Sequence, residues 1–423
     1  MPALTTPLSR SDVRTLALAS LGGALEFYDF VIFAFFAKVI AAHFFPPSQA
    51  EWLRQTQTFG LFGAGYLARP LGGVVMAHFG DLLGRKRMFT LSVLLMALPT
   101  LAIGLLPDFA TLGLSAPLAL LALRIAQGVA IGGEAPGGWV FVAEHAGPRR
   151  TGTACGLLSA GLTAGILLGA LVSLILHGAM TEATIADWGW RVPFVIGGVF
   201  GLLAMVLRRW LRETPVFVAL HEQGEQAREM PMVLLLRHHR RAIVLSMVGT
   251  WTLTAAIIVL LLMMPALLQT LHHIPAGATL RANLAGTCAL TLGTGLAGIA
   301  SDRWGMRRVL PPVCLLLVIG SYALYGVAPA YPALLVPCAV LAGLGGSYVG
   351  LLPVAMVRAF PAAVRFSGLS LSYNVAYAIF GGLTPAALSA LVPHAGLAPA
   401  HYVALAAVAG FMAVWRMPRS EQP

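Results

Sequence analysis

Gly80-Asp81-Leu82-Leu83-Gly84-Arg85-Lys86-Arg87 and Ser301-Asp302-Arg303-Trp304-Gly305-Met306-Arg307-Arg308 are two versions of one loop. Asp81 and Asp302 stand 221 positions apart, as do Gly84 and Gly305. Each loop lies between two long apolar runs. A weaker pair, Pro148-Arg149-Arg150-Thr151-Gly152 and Val364-Arg365-Phe366-Ser367-Gly368, matches in its Arg and Gly at an offset of 216. Two correspondences at nearly one offset, between equivalent apolar runs, indicate a duplicated chain.

The apolar runs bound the class. Only 10% of the 423 residues are charged and 58% are apolar, where a soluble domain carries about 25% charged residues. Mean hydropathy is +0.83. A soluble enzyme, a disordered chain and a collagen-like fibre are excluded, which leaves a polytopic membrane protein. A span needs about 20 mostly apolar residues. Twelve segments qualify, at about 15–42, 57–79, 88–106, 116–143, 152–177, 190–208, 242–269, 279–300, 309–327, 332–357, 367–391 and 400–416. The expected fold class is an all-α integral membrane protein with two pseudo-symmetric six-helix bundles, over 1–207 and 242–423, joined by a polar loop at 208–241. Parallel six-span halves with sites between them are the major facilitator architecture.

The formal charge of +11 reports orientation. With both termini cytoplasmic, 21 of the 27 Lys and Arg residues fall in cytoplasmic segments. Arg54, Arg191 and Arg281 lie outside, and Lys38, Arg69 and Arg124 lie within spans. The positive-inside rule then sets the topology, and no nucleic-acid partner is needed to account for the charge. The polar loop at 208–241 is read as a solvated linker, or as a basic segment lying on anionic lipid. Cys155, Cys288, Cys314 and Cys338 are scattered in apolar stretches with no metal-ligand spacing. No metal or cofactor is expected, no cleavable leader is evident, and the chain is expected to act as a monomer in a bacterial-type inner membrane.

The repeated loop has its own physics. Gly84 and Gly305 permit a sharp turn between helices. Asp81 and Asp302 can accept bonds at a helix N-terminus, and Arg85 and Arg87 can clamp neighbouring helix ends. The loop therefore reads as a gating latch, with Glu144 at the inner end of span four as part of it. Met306 stands where Arg85 stands in the first copy, so the second latch is expected to be weaker.

Ionisable groups at membrane depth are costly and point to function. Span one carries Glu26 and Asp29, on one helical stripe with Phe33 and Phe36. Lys38 is within snorkelling reach of the outer interface. Span two carries Arg69 before Pro70 and Gly72-Gly73. Span four carries Arg124, Gln127 and Glu134 among glycines, with Gln127 and Glu134 on nearly one side of the helix. An arginine stays charged at physiological pH, and its planar fork suits a carboxylate. Desolvation favours a protonated carboxyl and an adjacent arginine opposes it. A carboxylate that loses its arginine to an incoming anion would tend to take up a proton, which couples proton and anion entry. The same charges can instead be helix-to-helix salt bridges. In the second half, Tyr373, Asn374 and Tyr377 of span eleven precede Gly381-Gly382 and can hydrogen-bond a small polar substrate or glue helices together. The expected proton-coupling set is thus Asp29, Glu26 and Glu134. The expected substrate set is Arg69, Arg124, Gln127, Tyr28, Tyr373, Asn374 and Tyr377.

Several of these stretches occur together in one family. Leu25-Glu26-Phe27-Tyr28-Asp29-Phe30, Phe44-Phe45-Pro46, Arg69-Pro70-Leu71-Gly72-Gly73, the Gly80–Arg87 loop, Arg124-Ile125-Ala126-Gln127-Gly128, Gly132-Gly133-Glu134, Trp188-Gly189-Trp190-Arg191-Val192-Pro193-Phe194, Glu213-Thr214-Pro215 and the Arg365–Gly368, Tyr373-Asn374, Gly381-Gly382 pattern resemble the metabolite:proton symporters of the major facilitator superfamily. The resemblance runs in order over nearly the whole chain. It implies proton-coupled uptake, by alternating access, of small organic acids or zwitterions such as citrate, 2-oxoglutarate, proline or betaine. On that resemblance Glu26 and Asp29 match the span-one acids, Arg69 the span-two arginine and Arg124 the span-four arginine. Family members that sense osmolarity carry a long C-terminal coiled coil, whereas seven residues follow Arg416 here. The organic-acid branch, typified by citrate and 2-oxoglutarate permeases, is therefore the expectation, with a proline or betaine importer as the alternative. An exporter of the same fold usually has a Gly-Pro element in span five, and Gly156, Gly161, Gly165 and Gly169 come without proline. A membrane sensor would need a further soluble domain. No nucleophile elbow or phosphate loop supports an enzyme.

Overall fold

The computed structural model describes residues 10–208, 210–211, 213–222, 231–392 and 394–418. Arg209, Arg212, Arg228 and Arg419, counted above for topology, lie outside the described residues, and so does the side chain of Glu26. The described chain is helical throughout, with no strand. In the first half run α1 (Arg10–Phe35), α2 (Ala37–Phe44), α3 (Glu51–Leu83), α4 (Arg85–Leu105), α5 (Ser115–Ala146), α6 (Thr151–Ala179) and α7 (Arg191–Arg208). In the second run α8 (Arg240–Ile257), α9 (Met264–His272), α10 (Ala276–Trp304), α11 (Met306–Tyr322), α12 (Leu335–Gly345), α13 (Tyr348–Ala359), α14 (Arg365–Ala376), α15 (Gly382–Leu391) and α16 (Ala398–Arg416).

Eleven stretches among the described residues are long and apolar enough to cross a membrane. The twelfth crossing, expected at 57–79, lies in α3, which is 33 residues long. Arg54, Arg69, His78 and Asp81 dilute its apolar character, so length rather than hydropathy identifies it. Exposed Leu67, Leu71, Val75 and Phe79 on α3 recur at helical spacing and face outward, as a lipid-facing stripe does.

Glycines set how closely the helices approach. On α5, a Cβ at Gly128 would press on the Gly65 carbonyl of α3, and one at Gly132 on the Arg69 carbonyl. A Cβ at Gly72 on α3 would meet Val129. Backbone-to-backbone contact of this kind needs small residues on both helices. The same device joins the two bundles, where Gly156 of α6 lies against Gly298 of α10, 2.7 Å from a Cβ placed on either glycine. Across the same boundary α14 packs on α3 and α5, and α13 on α6. Wide helical turns interrupt three crossings of the second half, at Ile258–Leu262, Ala323–Val327 and Tyr377–Gly381. The first and third abut, since a Cβ on Gly381 would lie 3.4 Å from Ile258.

The inter-bundle segment differs from a plain solvated linker. It holds two short helices, Pro215–Glu222 and Pro231–His238. Leu211, Thr214 and Leu235 are buried. Glu213 accepts from the Lys86 backbone N–H at 3.1 Å and so caps the N-terminus of α4, where a negative charge is favourable. A few apolar residues spaced among charges were enough to dock the segment.

Adding one methyl at Gly128 tests the glycine contact. Gly128→Ala is expected to cost about 1–3 kcal/mol of stability. Gly382→Ala, where a Cβ meets open space, should cost little. Thermal unfolding of the two purified variants compares them directly.

Candidate functional site

The site is built on three helices of the first bundle. Asp29 on α1, Thr100 on α4 and Arg124 and Gln127 on α5 are all buried. The Arg124 guanidinium donates to Gln127 Oε1 at 2.8 Å. Gln127 Nε2 donates to the Thr100 hydroxyl at 2.8 Å, and that hydroxyl lies 2.5 Å from Asp29 Oδ2. A cation is thus joined to an anion by two neutral groups whose bonds run in one direction. Such chains polarise one another in a low-dielectric interior. The other carboxyl oxygen, Asp29 Oδ1, has no hydrogen-bond partner among the described residues. A Cβ on Gly197 of α7 would sit 2.6 Å from it, so this glycine makes room for the carboxylate.

A second cation faces the same space. Arg69 and Arg124 line one cavity together with Tyr66, Gln127, Gly65, Gly128 and Ile131. Its volume is about 10 Å³, room for about one water. The Arg69 guanidinium lies 4.3 Å from the Tyr377 ring, 5.5 Å from Tyr373 and 5.7 Å from Tyr66, within the range of cation–π attraction. Its Nε reaches Asn374 Oδ1 at 3.5 Å. Asn374 Nδ2 donates to the Gly132 carbonyl at 2.7 Å, and Ser370 Oγ to the Gly73 carbonyl at 2.8 Å. Polar side chains of α14 therefore bind backbone that the glycines of α3 and α5 leave open.

At the arginine-rich end two carboxylates cross between the bundles. Asp81, at the end of α3, accepts from the Ser367 N–H at 3.0 Å and its hydroxyl at 2.8 Å, in the first turn of α14. Asp302, at the end of α10, accepts from the N–H groups of Gly152 at 2.8 Å and Thr153 at 2.6 Å, in the first turn of α6. Each carboxylate satisfies N–H groups that a helix start leaves open. Gly84 (φ 111°) and Gly305 (φ 86°) turn the chain immediately after each. Glu144 adds an ion bridge, paired with Arg85 and with Arg365, the latter at 2.9 Å. Arg85 also donates to the Ala362 carbonyl at 2.6 Å. Around Asp302 the corresponding cation is Arg358, at 3.8 Å, and Met306 takes no part in an ion pair.

A model of the Major Facilitator Superfamily matches residues 19–385. The chain belongs to that superfamily. A citrate-proton symporter of Klebsiella pneumoniae is 33% identical over 397 residues, covering 93% of this chain and 88% of the relative. A proline/betaine transporter of Salmonella typhimurium is 30% identical over 420 residues, covering 94% and 82%. Among solved structures, the proton:xylose symporter XylE of E. coli bound to 6-bromo-6-deoxy-D-glucose superposes with a TM-score of 0.79 at 18% identity, covering 97% of each chain. The fold is that of the major facilitators, and the protein is a multi-pass membrane protein of a transporter family.

Against this major facilitator frame, the structure groups Asp29, Arg124, Gln127 and Arg69 with Tyr373, Asn374 and Tyr377. It does not bring Glu134 or Tyr28 to the cavity. Glu134 is paired with Arg208 at 2.6 Å and accepts from the Ser92 hydroxyl. Arg208, counted from sequence among the cytoplasmic charges where the 208–241 loop begins, is fully buried over the Phe89 ring. The Tyr28 hydroxyl donates to the Pro193 carbonyl at 2.9 Å. About two turns along α5 separate Gln127, linked to Asp29 through Thr100, from Glu134, paired with Arg208, a distinction helical periodicity alone does not make. Arg87 is exposed. Thr100 and Tyr66 escape the sequence reading, because an isolated polar side chain in an apolar span resembles helix glue. The nearest signal for Thr100 is its place in the third span, beside a first span that carries acids.

The Glu134–Arg208 pair predicts a double-mutant outcome. Arg208→Met strands a buried carboxylate and should cost about 3–5 kcal/mol. Adding Glu134→Gln should restore most of that loss in thermal unfolding. A double variant no more stable than Arg208→Met would show that the two side chains do not neutralise each other.

Proposed function

We propose that the protein takes up a small organic acid together with a proton, by alternating access. The observation that carries this is the placement of Arg69 and Arg124 on one cavity, with Arg124 joined through Gln127 and Thr100 to Asp29. Two guanidinium forks suit a substrate with two or more carboxylates. An anion that engages Arg124 draws its charge away from Asp29, and a proton on Asp29 then restores neutrality in the buried site. Proton and anion enter together because either alone leaves an uncompensated charge at membrane depth. Glu26 belongs to this reading as a second acid on the same helix, while Glu134, held by Arg208, is assigned to structure.

The cavity has room for about one water, so the substrate enters only when the bundles separate. The two aspartate caps, the Glu144 bridge and the α14 bonds to Gly73 and Gly132 hold the arginine-rich end closed. In the proposed cycle these contacts break to release substrate on the cytoplasmic side. The bundles that move are 1–207 and 242–423, with 208–241 as the connection, both termini are cytoplasmic, and the membrane is a bacterial inner membrane. The function requires no cofactor other than the proton gradient, and one chain contains the whole pathway. The relative named a citrate-proton symporter supports the organic-acid reading.

A second reading, a zwitterion such as proline or betaine, is favoured by the three tyrosines around Arg69. Aromatic faces that hold a guanidinium can also hold a quaternary ammonium. The relative named a proline/betaine transporter supports it. Uptake into proteoliposomes under an inward proton gradient separates the two. Citrate or 2-oxoglutarate accumulating while betaine and proline do not is the expected result, and the reverse selects the zwitterion.

Two substitutions test the coupling. Asp29→Asn should abolish gradient-driven accumulation while preserving most substrate counterflow, which needs no net proton movement. Equal loss of both would assign Asp29 to structure. Arg124→Lys should raise the KM for uptake about tenfold or more, because one charge-assisted bond of the fork is lost. An unchanged KM would remove Arg124 from the substrate site.

A further inference from the structure

A second, larger cavity shares no lining residue with the one at the central arginines. It has a volume of about 160 Å³ and opens at the arginine-rich end, between the start of α11 and the ends of α13 and α16. Arg307 and Arg358 line it, with Met306, Leu310, Val414 and Trp415 among its apolar walls. The Arg307 guanidinium stands 5.5 Å from the Trp415 ring. Arg416 follows the lining Trp415 in the chain, and Arg241 donates to its carbonyl at 3.4 Å. The first turn of the 17-residue α11 supplies Met306 and Arg307 to the wall, so a helix N-terminus adds its positive end to the two side chains.

The apolar part continues along α16. Leu405, Val408, Met412 and Trp415 are all exposed and recur at helical spacing, forming a strip that runs from the cavity into the membrane-spanning part of the helix. A tryptophan at the membrane interface above such a strip marks the level of lipid headgroups. A cationic recess over an apolar strip matches one class of molecule, a phosphate anion carrying acyl chains.

We propose that this cavity binds the headgroup of an anionic phospholipid, with its phosphodiester between Arg307 and Arg358 and an acyl chain along α16. The site is separate from the substrate cavity and does not rest on the function proposed above. Basic recesses between membrane helices are suited to such headgroups. Arg358 also stands 3.8 Å from Asp302, the carboxylate that caps α6, so the bound phosphate shares a cation with a contact between the bundles.

Delipidated full-length protein in detergent provides the test. Dioleoylphosphatidylglycerol is expected to raise the unfolding temperature saturably. Dioleoylphosphatidylcholine, which is zwitterionic, and inorganic phosphate at matched ionic strength should not. Arg307→Gln should weaken the apparent affinity for phosphatidylglycerol about fivefold, and Arg307→Lys should weaken it less. Equal stabilisation of the wild type and Arg307→Gln overturns the proposal, as does an equal response to phosphatidylcholine. Stabilisation by inorganic phosphate alone overturns it in favour of a free-anion site. Should Arg307→Gln fail to fold, native mass spectrometry of the wild type decides the matter: retention of one phosphatidylglycerol in preference to phosphatidylcholine supports the site, and no preference overturns it.

Discussion

A carboxylate taken out of water must be met by donors fixed around it. Asp81 and Asp302 are met by the first turns of α14 and α6, each belonging to the opposite bundle. The contact is made twice, in opposite directions, because the loop that carries it occurs twice. At the arginine-rich end these caps join the two bundles. The Glu144 bridge and the docking of α14 on α3 and α5 join the bundles at the same boundary. The caps join preformed helix termini rather than filling an apolar core.

The glycines make the rest of the geometry available. Gly65, Gly72, Gly128 and Gly132 bring α3 and α5 into backbone contact, which places Arg69 and Arg124 on one cavity although they lie on different helices. The same absence of side chains leaves the carbonyls of Gly73 and Gly132 open to Ser370 and Asn374. Close packing and polar contact between the bundles thus have one cause. A larger residue on that seam would separate the arginines and cover the carbonyls together.

Two sets of buried charge that share α5 differ in kind, which composition does not reveal. Glu134 and Arg208 neutralise each other at short range. Asp29 and Arg124 are held apart by Gln127 and Thr100, so their attraction is transmitted through groups that can rearrange. In the proposed function a direct pair would resist exchange with a substrate, and a spaced one would admit it. Glu134 and Arg124 lie on one helix, yet they fall in different groups because the turns between them point at different neighbours. For the same reason Arg208, at the end of an apolar run, counts in the sequence as a cytoplasmic charge but is buried in the structure.

The amino-acid sequence by itself determined the membrane class, the helical crossings, the duplication and the residues of the repeated loop. These depend on hydropathy, period and offset, which are local or self-referential properties of a chain. It also placed Asp29, Arg69 and Arg124 at membrane depth, because charges there are rare enough to stand out. The third crossing's Thr100, the Arg208 partner of Glu134 and the crosswise seating of Asp81 and Asp302 were decided only by tertiary structure. Each depends on which helix face meets which neighbour, and that is set by backbone approach at glycines distant in sequence.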